Sequence, residues 1–276
     1  MKHIRFMKSK VAVLILAAIF YLGNSFAQTT RDSVTISGTV TDYNGQPIDS
    51  CSIFWQNPSF GEVRQALTDR DGKYIARIPS GKYQSMAAVK LSAYPHTAKP
   101  GLSEADQRLE FWAWDFIADR DTTVDIRYHR MEAYGLRVFR IPGAMPAYQI
   151  YVRPMSLTRF LQESSTGAVE HAQHVADVEQ EAVTEQAKAI LFAPPADKLK
   201  VVVRIDGEEV PVLMKQEIKE YFQADQWGNA YLLTVDRPEK ATSNLPYRVF
   251  KVELTDLENG DRGEGLYYME KEDYVK

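Results

Sequence analysis

The chain has 276 residues, 33 Lys and Arg against 37 Asp and Glu, and a formal net charge of −4. An acidic chain with no clustered basic stripe excludes nucleic acid and anionic membrane surfaces as partners. The single cysteine, Cys51, excludes a disulfide-stapled fold, so stability must rest on a packed core in which Cys51 is a small buried residue.

The first 27 residues read as a leader. Lys2, Arg5, Lys8 and Lys10 form a basic start, Val11 to Tyr21 an apolar run, and Ser25-Phe26-Ala27 a small-residue end. That is the layout of a secretory signal peptide with cleavage after Ala27, and the run is shorter than the about 20 residues of a membrane span. No cysteine follows to carry a lipid, so the expected product begins at Gln28, is periplasmic or secreted, and does not insert in a membrane. Without the leader's four cations, 29 Lys and Arg face 37 Asp and Glu, a net charge of −8. The rest is read as two domains, 33–131 and 132–276.

From Val34 the pattern is that of short strands. Val34, Ile36 and Val40 recur at period two, as do Cys51, Ile53 and Trp55. Asn44-Gly45 before Pro47, Asp71-Gly72 and Ser80-Gly81 mark tight turns, and Tyr74 to Ile78 is a strand leaving the second. Asp69 and Asp71 are read as turn residues whose carboxylates bond nearby amides. A calcium loop would need more alternating oxygen ligands and a closing glutamate.

"SGTVTDYNGQPIDSCSIFW", "TDRDGKY" and "IPSGKY" together resemble the carboxypeptidase regulatory-like domain. Gly38, Val40, Asp42, Gly45, Pro47, Thr68, Asp69, Asp71, Gly72, Tyr74, Pro79, Gly81 and Tyr83 match its motifs in order. The resemblance covers Val34 to Arg130 and implies a transthyretin-like β-sandwich. It implies little about function, since the family is an accessory module of many secreted proteins. The sequence departs from the family between Leu91 and Ile117, where a short connection is replaced by "SAYPHTAKPGLSEADQRLEFWAWDF".

The second half is also strand-like. "AYGLRVFRI", "AYQIYVRPM", "LKVVVRID", "NAYLLTVD" and "YRVFKVELTD" are separated by Gly, Pro, Asp and Asn, with Asp206-Gly207 and Asn259-Gly260 as hairpin turns. This predicts an immunoglobulin-like sandwich without a Cys–Trp–Cys framework. One segment breaks the pattern: Val169, Ala172, Ala176, Val183, Ala187 and Ile190 recur at helical steps, predicting a helical insertion near 168–191. The fold class is therefore all-β, two sandwiches with one helical insertion.

Chemistry is sparse. His129 and Glu132 spell H-x-x-E, but residues three apart on a strand point to opposite faces, and no HExxH occurs. His171 and His174 share a helical face with acids and are read as solvated rather than metal-bound. No G-x-S-x-G elbow or phosphate loop is present. No metal and no cofactor is expected. The aromatics remain: in "LEFWAWDF" alternation puts Trp112, Trp114 and Phe116 on one strand face. With Tyr94 they are the expected contact surface, the competing reading being core.

The sequence thus predicts a non-catalytic binding or assembly module of the cell envelope, with a glycan or an envelope protein as partner. Two rivals are a small secreted hydrolase acting on polysaccharide and a structural subunit that pairs by strand edges. An exposed aromatic row favours binding, of flat sugar faces or of a protein partner, a carboxylate pair across a groove the hydrolase, and an uncovered edge strand assembly.

Overall fold

Period-two alternation builds nearly all of the chain. The computed structural model describes residues 32–98, 100–165, 188–223, 226–240 and 243–271. The leader with its cleavage site lies outside them, as do His171 and His174. The first strands are β1 (Ser33–Thr41), β2 (Ser52–Gln56), β3 (Glu62–Leu67), β4 (Lys73–Pro79), β5 (Gly81–Lys82) and β6 (Ser85–Val89). After the inserted connection come β7 (Phe111–Trp114), β8 (Ile117–Ala118), β9 (Thr122–Thr123), β10 (Ile126–Arg127), β11 (Met131–Phe139) and β12 (Tyr148–Ser156). Helix α1 (Leu157–Ser165) follows, then β13 (Lys188–Ala189), β14 (Leu199–Ile205), β15 (Glu208–Val210), β16 (Val212–Gln223), β17 (Gln226–Val235), β18 (Tyr247–Asp256) and β19 (Arg262–Glu270).

These strands stack as three layers. The middle sheet has the order β15-β14-β18-β19-β7-β6-β2-β3. One outer layer is β10-β1-β4 with β9 alongside β1, and the other is β11-β12-β17-β13 with β16 on β17. Alternation along the middle strands feeds two cores. Ile53, Trp55, Met86 and Phe111 point to the first core, against Ile36 and Ile78. Trp112, Trp114, Phe250 and Val252 point to the second, against Ile150, Val152 and Leu233. Each such fully buried side chain contributes about 1.5–3 kcal/mol.

The fold is all-β as expected, and its two sandwiches share the middle sheet. β7, from the first half, pairs in parallel with β19, from the second, through Trp112 and Gly265. The sequence division at 131/132 therefore parts strands that belong to one sheet, and it falls inside β11. Gly263 lets β19 approach β11 closely, because a Cβ there would sit 1.7 Å from the carbonyl oxygen of Met131.

The helical expectation near 168–191 is corrected at its end. Residues 168–187 lie outside the described ones, and Lys188–Ala189 form a strand parallel to Gln226–Trp227. The Ile190 amide continues that pairing to the Trp227 carbonyl, 2.7 Å away. A free sheet edge there outweighs helical periodicity. The described helix is α1, whose Thr158 amide is capped by the Asp261 carboxylate at 2.9 Å.

Candidate functional site

The four predicted contact residues are dispersed. Trp112 and Trp114 do share a face and stack, with ring centroids 5.0 Å apart and planes 15° from parallel. Tyr134 meets both rings edge-on at 5.8 and 5.5 Å, and the Arg137 guanidinium lies 5.3 Å from the Trp114 ring. The pair is nevertheless closed off, at 9 and 3 % exposure. It fills the second core and presents no open platform.

Phe116 lies on the opposite side. Asp115 adopts a positive φ of 50°, which breaks the alternation between Trp114 and Phe116. Phe116 consequently enters the first core, fully buried, 5.0 Å from Tyr268. Asp115 is held in place by the Tyr267 hydroxyl, which donates to it at 2.8 Å. Tyr94 is half-buried in the inserted connection beside His96, at 5.6 Å. Burial and the negative field of Glu110 and Glu132 push its hydroxyl pKa up.

Those two glutamates adjoin each other beneath the inserted connection. Glu132 is 4 % exposed, and the Glu110 amide donates to its Oε1 at 3.1 Å. Burial pushes the Glu110 carboxyl up to about 7. It pushes Glu132 well above the usual carboxylate range, with the neighbouring Glu110 charge adding to it. Both carboxyls thus bind protons more readily than exposed ones, Glu132 buried and Glu110 half-buried beside it.

The motif aspartates divide their labour. Asp69 Oδ1 accepts from the amides of Asp71 and Lys73, both at 2.9 Å, which is the turn role expected of it. Asp71 instead forms an exposed ion pair with Lys73 at 3.3 Å. Asp42 repeats the Asp69 pattern on the amides of Asn44 and Gln46. Among the described residues no group of three or more His, Cys, Asp or Glu side chains is placed to hold a metal ion. Cys51 is free and buried, and burial pushes its thiol up to about 11.

What lies open is a groove of about 730 Å³ beside the first core. β3 forms one wall with Arg64, Gln65, Ala66 and Leu67, and β1 and β4 form the other. β3 pairs only with β2 and β4 only with β1, so both carry a free edge among the described strands. Leu67 and Ile75 rise beside the groove at 62 and 71 % exposure. Its carboxylates are turned to local bonds: Asp125 accepts from the Thr39 amide and hydroxyl, Asp69 from its own turn. Arg64, Lys73 and Arg77 stand in the same lining as Asp69 and Asp125; Lys73 pairs with Asp71, and Arg77 donates to the Ser33 hydroxyl at 2.6 Å. No exposed ring lines the groove, since Tyr74 is buried and donates to the Val124 carbonyl.

These groove residues were missed from sequence. The one signal was Ile75, an outward apolar residue in a strand whose inward set, Tyr74, Ala76 and Ile78, is already complete.

Comparison with known proteins agrees with the motif reading of the first half. Residues 35–100 match the carboxypeptidase regulatory-like domain family. No curated protein matches the chain. Among solved structures, a DUF3823 family protein from Parabacteroides merdae is 8 % identical, covers 86 % of this chain and 98 % of its own, and has a TM-score of 0.25. A DUF3823 family protein from Bacteroides ovatus is 9 % identical over the same shares, with a TM-score of 0.26. BcpA, the major pilin subunit of Bacillus cereus, is 14 % identical, covers 86 % of this chain and 68 % of its own, and has a TM-score of 0.24.

Proposed function

We propose that this protein is a non-catalytic assembly module of the bacterial cell envelope that holds a partner protein through uncovered strand edges. The observation that carries the reading is the groove between β3 and β4, where two free edges meet exposed apolar and cationic side chains. β16 adds a twelve-residue strand that pairs β17 on one side only among the described strands. Uncovered edges are templates for another chain, and proteins that do not use them usually blunt them. The leader pattern supports an envelope or secreted location.

The glycan reading loses support because its tryptophans are buried. The hydrolase reading loses support because Glu132 of the Glu110–Glu132 pair is buried and neither residue lines the groove between β3 and β4.

The test is photo-cross-linking in cells, with a photoreactive amino acid at position 75 and, as control, at position 257, both exposed. A discrete protein adduct from position 75 alone is expected. Adducts from neither position, or saccharide adducts only, would overturn the reading.

A further inference from the structure

We infer that the free edge of β16 takes the β16 of a second copy of this chain, paired antiparallel about a two-fold axis at Ile218. This is a different edge from those of the β3–β4 groove, and its occupant is the same chain rather than another protein.

Which main-chain groups of β16 lie free follows from β17. The Trp227 carbonyl accepts from the Ile190 amide at 2.7 Å, so Trp227 turns toward β13. Asp236, of opposite parity, turns the other way, and its amide donates to the Pro211 carbonyl at 3.0 Å just before β16. Alternation therefore aims Gly228, Ala230 and Leu232 at β16, where they pair with Glu220, Ile218 and Gln216. Lys215, Glu217, Lys219 and Tyr221 are left with main-chain groups turned outward, where no strand pairs them among the described residues. From Met214 to Tyr221 the β16–β17 ladder runs without a register shift, which makes an even template for another strand.

The side chains select a second copy. A row of charges of one sign would repel it, but Lys215, Glu217 and Lys219 alternate in sign. Centred on Ile218, an antiparallel pair sets Glu217 opposite Lys219 of the other copy, twice over, and Ile218 opposite itself. With the axis moved one residue, onto Glu217 or Lys219, like charges would stand face to face, which is destabilising. Moved to Gln216, the axis would need Lys215 as the partner of Glu217. That ammonium is already held by the Ala196 and Leu199 carbonyls, and the ladder would soon meet the register shift before Met214. Among the described residues Glu217 accepts from Asn229 and Tyr231, and Lys219 lies over the Tyr221 and Trp227 rings. Both charges are thus open to a second copy. Met214 and Tyr221, 57 and 38 % exposed, give the ladder apolar ends.

The experiment uses the full chain after leader removal, its mass followed by analytical ultracentrifugation across the micromolar range. A monomer–dimer equilibrium is expected. Glu217→Lys and Lys219→Glu should each weaken the dimer about tenfold, because like charges then face each other twice. Both substitutions together should restore it, which a merely damaged surface would not do. Ile218→Cys should oxidise to a disulfide-linked dimer. A residue bonded to β17 falls in a non-hydrogen-bonded pair on its other side, and on the axis this brings the two Cα atoms to about 4.5 Å, within disulfide reach. The natural Cys51 is buried and does not compete. Gln216→Cys, off the axis, should form no disulfide under the same conditions. A monomer throughout that range, a disulfide at 216 in preference to 218, or a double variant no tighter than the single ones would overturn the inference. The position-75 adduct reports on the other edges, so the assembly reading stands or falls separately.

Discussion

At the scale of single residues, the Glu110–Glu132 pair gives the sharpest consequence of burial. Both carboxyls titrate above their unfolded values, so the folded state binds protons that the unfolded state has released. Their stabilising effect is complete below the unfolded carboxylate pKa, about 4.3, and fades as pH rises through about 7 for Glu110 and through the likewise raised pKa of Glu132. Melting temperature should therefore fall between pH 5 and pH 8. Glu132→Gln should flatten that fall, because its amide oxygen still accepts from the Glu110 amide while carrying no charge. An unchanged pH slope in the variant would mean the pair is ionised inside the protein. The tryptophans make a second residue-level case. Trp114 is 3 % exposed against Trp112 and Tyr134, so Trp114→Ala should cost about 3–5 kcal/mol, read by chemical denaturation. Folded Trp114→Ala should still bind at the β3 groove, whereas a ring platform would lose its ligand first. Sequence could show three aromatics at alternate positions but not the positive φ of Asp115, which depends on the distant Tyr267 hydroxyl. Simple alternation therefore assigns Phe116 to the tryptophans' face, whereas it lies in the first core.

At the scale of elements, turns and strands were the legible part, since their causes are local. Gly45, Gly72, Gly207 and Gly260 all have positive φ at the turns that Asn-Gly and Asp-Gly announced. Gly72 does more than turn the chain: φ is +72°, and a Cβ there would meet the Val40 carbonyl oxygen at 2.4 Å. Gly72→Val should thus cost about 1–3 kcal/mol from backbone strain alone, with the clash adding to it. A thermal melt measures the loss, and a variant as stable as the parent would show that β1 and the turn relax apart. Where sequence misled, the cause was non-local. Lys188 and Ala189 lie within the span of helical periodicity, between Ala187 and Ile190, but meet the edge of β17 in the folded chain. The groove was illegible for a similar reason: Arg64 and Arg77 lie on separate strands, and only the crossing from one sheet to the other brings them together. Alternation tells which residues of β4 point outward, but not that β3 ends its sheet beside them.

At the scale of the whole molecule, the decisive feature is the middle sheet that both cores share. The first core borrows Tyr247, Leu266 and Tyr268 from β18 and β19, and the second borrows Trp112 and Trp114 from β7. Polar contacts cross the 131/132 division as well. Arg127 bonds Glu264 at 3.0 Å, where the carboxylate is fully buried, and Arg130 bonds Asp261 at 3.1 Å. A buried charge left without its partner costs several kcal/mol, so neither half can be separated cleanly. Residues 33–131 alone would keep β6 but lose β19 beside β7, and would expose the two stacked tryptophans to water. We expect that fragment to lack a cooperative melt and to bind a hydrophobic dye, while the complete chain unfolds in one transition seen alike by tryptophan fluorescence and circular dichroism. The regulatory-like motifs set the turns of the first sandwich, yet closing its core takes two strands from the far end of the chain. A 33–131 fragment that melts cooperatively near the temperature of the full protein would refute this, and would make the shared sheet a docking of two independent domains.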